Sequence, residues 1–152
     1  CELCKSIGAD ATINYSQETL PNKFRDAIKA LTDGKGPDVI YDPVGGDFSE
    51  PAFRSIAWRG RHLVIGFASG PTPSIPLNLP LLKGPSIVAV FWGGFAKQEP
   101  RANAAMMQEL ATWYGQGKIK PVIDSTMPMA DLKAAYAHMG SRGVMGKLVM
   151  VN

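Results

Sequence analysis

Cysteine is nearly missing from this chain. Its two copies, Cys1 and Cys4, fall short of the disulfide framework on which small secreted domains rely. Their Cys-x-x-Cys spacing invites a zinc or a redox reading. A structural zinc site takes about four ligands, however, and the two histidines, His62 and His138, lie far apart in sequence without ligand spacing. A redox pair of this spacing should follow a strand and open a helix, where the dipole lowers the thiol pKa. Here Lys5 and Gly8 come next instead, the pattern of a helix that is ending. Cys1 and Cys4 therefore read as small residues one turn apart on a helix.

Long apolar runs are missing too. Stretches such as Ser86 to Trp92 are far too short to cross a bilayer, and no signal-peptide succession opens the chain, so the expectation is a soluble, cytoplasmic protein with no membrane partner. Charge of one sign is scarce: the net charge of +3 is spread thinly, without the basic runs or basic-aromatic interleaving that would point to nucleic acid. Familiar catalytic sets are absent. Ser16, Ser69 and His62 lack a nucleophile-elbow context, and no paired carboxylates stand ready for hydrolysis. Asp42 is followed by proline rather than a metal partner, so Asp42 and Asp47 read as caps of the next helix. No metal is expected. An initial methionine and an opening cap are also lacking: Glu2 to Ile7 reads as the last turns of a helix closed by Gly8, which suggests a fragment.

What is present is an alternation of strands and helices in a composition suited to one compact core. Ala11 to Tyr15 predicts a short strand, and Asn22 to Thr32 a helix with Phe24, Ala27, Ile28 and Leu31 at helical spacing. Pro37 to Asp42 predicts a strand buried on both faces, because Val39, Ile40 and Tyr41 are consecutive, as parallel strands require. A helix from Phe48 to Trp58 and a second buried strand from Arg61 to Phe67 come after it. The four prolines between Pro71 and Pro80 argue against helix and interior strand, giving a wrapping loop. Pro85 to Trp92 predicts the next strand and Arg101 to Tyr114 a long helix. The tail reads as a strand near Val122 and Ile123, a helix from Asp131 to Met139 and a strand from Lys147 to Val151, assigned partly to another layer. Repeated strand-helix units predict an α/β doubly wound fold, a parallel sheet with helices on both faces.

Ligands of such sheets bind at the carboxyl ends of the strands. Four segments fall there: Tyr15-Ser16, residues 42–46 (DPVGG), residues 67–70 (FASG) and residues 91–94 (FWGG). They combine aromatic or small polar groups with glycines that let a flat ligand approach the backbone. Any one of them could simply turn the chain. Their recurrence on one rim points to a nucleotide crevice.

Six runs carry a family resemblance: GADATINY (8–15), GKGPDVIYDPVGGD (34–47), WRGRHLVIGFASG (58–70), VAVFWG (88–93), GKIKPVI (117–123) and GKLVMV (146–151). In order and spacing they resemble the zinc-independent quinone oxidoreductase branch of the medium-chain dehydrogenase/reductase superfamily, over essentially the whole chain. In that family the strand order runs third, second, first, fourth, fifth, sixth, with a glycine-rich phosphate loop after the first strand. The resemblance implies a partial Rossmann-like sheet lacking its first two strands over residues 1–120, and over 121–152 a segment that packs on the catalytic domain. It implies NADPH as cofactor, with NADH the alternative, a quinone or enone as substrate, and little activity for these residues alone.

Position by position, the resemblance implies that Tyr15 flanks the adenosine ribose or phosphate and that Pro43, Val44 and Gly45 pass along the cofactor. Phe67, Ser69, Phe91 and Trp92 would line the nicotinamide side, and Lys147 would touch the cofactor. No catalytic side chain is implied, since hydride passes directly and orientation matters most. A homodimer is implied through the strand Ser86 to Trp92. The strand Ala11 to Tyr15 would be left without its neighbour, so self-association or disorder of residues 1–20 is expected. Different classes remain open: a non-catalytic nucleotide-binding or assembly module and, among enzymes, an enoyl reductase or a zinc-type alcohol dehydrogenase relative.

Overall fold

The computed structural model of the chain describes residues 1–15, 21–141 and 143–152. They form two compact units, Cys1–Trp92 and Gly93–Asn152. In the first unit, helix α1 (Glu2–Ser6) is followed by α2 (Pro21–Ala30), strand β1 (Val39–Asp42), a 3-10 turn (Gly46–Phe48) that runs into α3 (Ser49–Ser55), β2 (Arg61–Val64), α4 (Asn78–Lys83) and β3 (Ser86–Ala89). The three strands pair in parallel in the order β1-β2-β3, the order expected for the family's last three strands.

Register decides which side chains share a face. Ile40, His62 and Ile87 are side by side, as are Asp42, Val64 and Ala89. This face meets α3, whose Phe53 ring lies 5.7 Å from the His62 ring. The core sits here: Phe53, Ile56, Ala57 and His62 are buried. Gly36, at φ 85°, lets the chain enter β1 against the end of α3, because a Cβ there would overlap the Ser55 carbonyl. The opposite face carries Val39, Tyr41 and Val88, all exposed. The expectation of strands buried on both faces is therefore corrected: consecutive apolar residues supply two faces, and in the described structure one of them is covered over β1 and β2, while β3 is exposed on both.

Other boundaries shift for local reasons. Residues 11–15 form no strand, since among the described residues β1 pairs only with β2 and a strand needs a ladder partner. Tyr15 turns instead onto Phe24 and Phe48. The expectation of disorder or self-association falls partly on residues 16–20, outside the described residues. Helix α3 stops before Trp58, because Ile56 becomes extended (φ −54°, ψ 145°) and is fully buried. Strand β2 ends at Val64, before Phe67, where the Ile65 and Gly66 amides both turn to the Asp42 carbonyl at 3.0 and 3.4 Å. Losing that partner also shortens β3: the Val90 amide still reaches the Val64 carbonyl at 3.0 Å, but Trp92 already opens helix α5 (Trp92–Gln98). The proline-rich crossing does contain a helix, α4, with Pro80 in its first turn, where a missing N–H costs nothing.

In the second unit, α6 (Pro100–Gly115), with proline at its start, precedes β4 (Ile123–Pro128), a 3-10 turn (Met129–Asp131), α7 (Leu132–Gly140) and β5 (Lys147–Val151). Strands β4 and β5 pair in parallel, so the tail is itself a strand-helix-strand unit. Among the described residues no helix is long and apolar enough to cross a membrane.

Candidate nucleotide-binding crevice

Asp42 closes β1 and organises the turn after it. Its Oδ1 accepts hydrogen bonds from the Val44 and Gly45 amides at 3.0 and 2.9 Å, and its Oδ2 accepts one from the Ser49 hydroxyl at the start of α3. His62 Nε2 faces the same Oδ2 at 3.3 Å. Burial alone would raise the Asp42 pKa, but the Gly45 amide, the Ser49 hydroxyl, the Val44 amide and the neighbouring imidazole outweigh it and hold the carboxyl below its ordinary value. Burial lowers the His62 pKa, and the charge and hydrogen bond of Asp42 only partly oppose it. A carboxylate can only accept, so the proton of the neutral imidazole belongs on Nε2. Nδ1 is left as a buried acceptor without a partner among the described residues.

The turn so fixed carries two glycines at positive φ, Gly45 (70°) and Gly46 (65°). They permit close approach of the next loop: a Cβ on Gly45 would come within 2.9 Å of the Phe67 ring, and one on Gly46 within 2.5 Å of the Ser69 hydroxyl. Backbone bonds then join the two segments, from the Ala68 amide to the Pro43 carbonyl at 3.2 Å and from the Ser69 amide to the Val44 carbonyl at 2.9 Å. On the other side, Tyr15, Phe24 and Phe48 form a ring cluster with centroids 5.1 to 6.3 Å apart. This cluster lines a cavity of about 180 Å³ together with Pro43 and Val44.

Six of the nine expected site residues are thus brought together: Tyr15, Pro43, Val44, Gly45, Phe67 and Ser69. Phe91 comes after the neighbouring strand at the same carboxyl rim and is 79% exposed. Trp92 stands in the first turn of α5 rather than on a strand. Lys147 belongs to the second unit, where it opens β5 and its amide bonds the Val122 carbonyl at 2.8 Å. Sequence reasoning gave Asp42 and Asp47 the capping of the next helix, which neither performs: the 3-10 turn and α3 carry no side-chain cap, and Asp42 instead holds the Val44 and Gly45 amides ahead of them. It missed His62, Phe24 and Phe48. The sequence carried a signal only for His62, a polar side chain inside a strand expected to be buried; Phe24 and Phe48 meet Tyr15 only in the folded chain.

The fold and this rim define a class: a parallel α/β sheet whose strand ends present glycine turns and exposed rings. Residues 7–150 match the zinc-binding dehydrogenase family, and the chain belongs to that family, within the medium-chain dehydrogenase/reductase superfamily. It is 35% identical over 150 residues to quinone oxidoreductase-like protein 2 of Mus musculus, covering 99% of this chain and 42% of that protein. The chain therefore spans about two fifths of the length of the curated relatives it matches. Among solved structures, a mycobacterial protein in complex with NADPH superposes with a TM-score of 0.80 at 26% identity, over 99% of this chain and 46% of the other. An NAD-dependent alcohol dehydrogenase does so with the same score and identity, over 99% and 40%. The family name mentions zinc. Among the described residues no group of three or more His, Cys, Asp or Glu side chains could hold a metal.

Proposed function

We propose that these residues form the cofactor-binding part of an NAD(P)H-dependent oxidoreductase that delivers hydride to quinones or activated alkenes, with NADPH preferred over NADH. One observation carries the reading. Turn 43–46 and loop 67–70 are bonded together at the carboxyl ends of adjacent parallel strands, beside the ring wall of Tyr15, Phe24 and Phe48. Val44, Phe67 and Tyr15 present apolar surface to solvent there, 40, 43 and 53% exposed, which suits the flat faces of a dinucleotide.

When bound, the nicotinamide supplies the hydride. The chain's own part is positional: the Asp42 carboxylate fixes the turn, the turn and loop backbones hold the cofactor's length, and the rings exclude water from one side. In this reading Phe91 and Trp92 line the nicotinamide side and Lys147 contacts the cofactor. Residues 1–120 are the dinucleotide-binding domain and 121–152 join the catalytic domain. The unpaired outer edge of β3 meets its copy in a homodimer, and the setting is cytoplasmic. A phosphate-gripping loop is part of the family's cradle but not of these residues, so the 152 residues alone should bind weakly and turn over little.

The test is to titrate NADPH and NADH, by quenching of protein fluorescence, against these residues and against a protein extended to the relatives' length, with turnover of 1,4-benzoquinone measured for the latter. The reading expects binding and turnover for the long form, tighter for NADPH, and at least about tenfold weaker binding for the short one, since a helix N-terminus is a principal anion anchor. Absence of nicotinamide binding by the long form would overturn it.

A further inference from the structure

The first unit has a second opening, on the rim away from the crevice. Helix α2 begins beside Tyr15 and runs toward the end where β1 starts, α3 runs the same way, and α4 delivers the chain to the start of β3. A cavity of about 280 Å³ lies among the far ends of these helices. Phe53 and Ile56, both buried, back the cavity, and Leu82, 68% exposed, supplies its accessible apolar surface. Its walls bring together Arg25, Asp26 and Lys29 of α2, Arg54 of α3 and Lys83 of α4.

Four cations line the cavity against one carboxylate, Asp26. Arg25 is paired with Asp26 at 2.8 Å and Arg54 with Glu50 at 2.6 Å, both partly exposed pairs of the kind that contribute little and exchange partners easily. Lys29 and Lys83 have no carboxylate within ion-pair distance among the described residues. Lys83 has a structural duty: its Nζ donates to the Arg54 and Ile56 carbonyls at 3.0 Å each, closing the end of α3. That duty uses two of three donors and does not explain why Lys29 and Arg25 gather beside it. Burial, and then the charges of Lys29 and Arg25, lower the Lys83 pKa. Cations held together in this way favour an anion between them.

We propose that this cavity binds the phosphate group of a small organic phosphate, with Lys29 and Lys83 as the principal contacts, Arg25 and Arg54 at the margin, and the organic body against Leu82. The exposed Leu82 side chain and a volume larger than a bare phosphate needs favour an ester over the free ion. The site is independent of the nicotinamide crevice, which lies at the opposite strand ends.

Phenyl phosphate and inorganic phosphate are titrated into the isotopically labelled protein at low salt, followed by amide chemical shifts and calorimetry, for wild type, Lys29→Gln and Arg25→Gln. The inference expects phenyl phosphate to shift the amides at the ends of α2, α3 and α4 and to bind more tightly than inorganic phosphate. In Lys29→Gln the affinity falls about tenfold with an unchanged thermal midpoint, and in Arg25→Gln it falls less. Shifts confined to residues 43–46 and 67–70, undiminished binding by Lys29→Gln, or no binding at millimolar ligand would overturn it. Equal affinity for the two probes would overturn the ester and leave a free-phosphate site.

Discussion

The two units each set a histidine against an aspartate at a strand, and to different ends. In the first, Asp42 ends β1 and meets His62 of β2 at 3.3 Å. In the second, Asp124 of β4 meets His138 of α7 at 2.9 Å. The carboxylates are equally shielded, with side chains 15 and 14% exposed, whereas the imidazoles are 2 and 39% exposed. The difference therefore lies in the histidine. A buried imidazole resists protonation and serves as a neutral strut under a carboxylate occupied with turn amides. An exposed one is a tether: Asp124 holds the Met145 amide at 2.8 Å on its other oxygen and so ties α7 and the approach to β5 back to β4. The Met145 amide first, and then the bond from His138, lower the Asp124 pKa.

Four measurements put this contrast between strut and tether at risk. The largest effect belongs to Asp42→Ala, which strands two amides, a hydroxyl and an imidazole; urea unfolding should show a loss of about 3 kcal/mol, and nicotinamide affinity should fall with it. Next comes Gly45→Ala. Its backbone (φ 70°, ψ −153°) suits glycine alone and its Cβ would press on Phe67, so a loss of about 2 kcal/mol is expected, with a larger effect on cofactor affinity than a matched Gly115→Ala in open space.

The third is pH dependence. The folded pKa of His62 lies below its ordinary 6.5, so the unfolded chain takes up protons first and the stability due to neutral His62 is complete above pH 6.5 and lost as pH falls through the folded value. The lowered carboxyls of Asp42 and Asp124 act with the same sign from an ordinary value of 3.8. Unfolding free energy followed from pH 7 downward should decline below 6.5 in wild type, and only nearer the carboxylate range in His62→Gln. A His62→Gln profile identical to wild type would mean that the imidazole is no strut. The smallest effect is expected for Asp124→Ala: hydrogen exchange at Met145 should quicken and the thermal midpoint should drop less than for Asp42→Ala. A larger drop would reverse the ranking of the two pairs.

Elements with strong end signals were legible from sequence. Helix α6 differs from the expected Arg101 to Tyr114 by one residue at each end, because a proline starts it and a glycine stops it, and β5 matches Lys147 to Val151. The strands of the first unit were found but drawn too long. Their ends depend on the neighbouring strand rather than on their own residues, as the turn of Ile65 and Gly66 to the Asp42 carbonyl shows. The glycine turns of the crevice were legible as Gly45 and Gly46. The wall of Phe24 and Phe48 was not, since two helices of distant sequence had to meet before those rings could touch Tyr15.

Local chemistry along the chain thus specified the ends of α6, the existence of the parallel strands and the glycine turns at their carboxyl ends, because each is written in a few adjacent residues. Three-dimensional packing settled which sheet face is covered, that His62 rather than His138 is buried, and that four cations from three helices share one cavity. Those outcomes depend on strand register and helix placement, which bring together side chains that no local pattern relates.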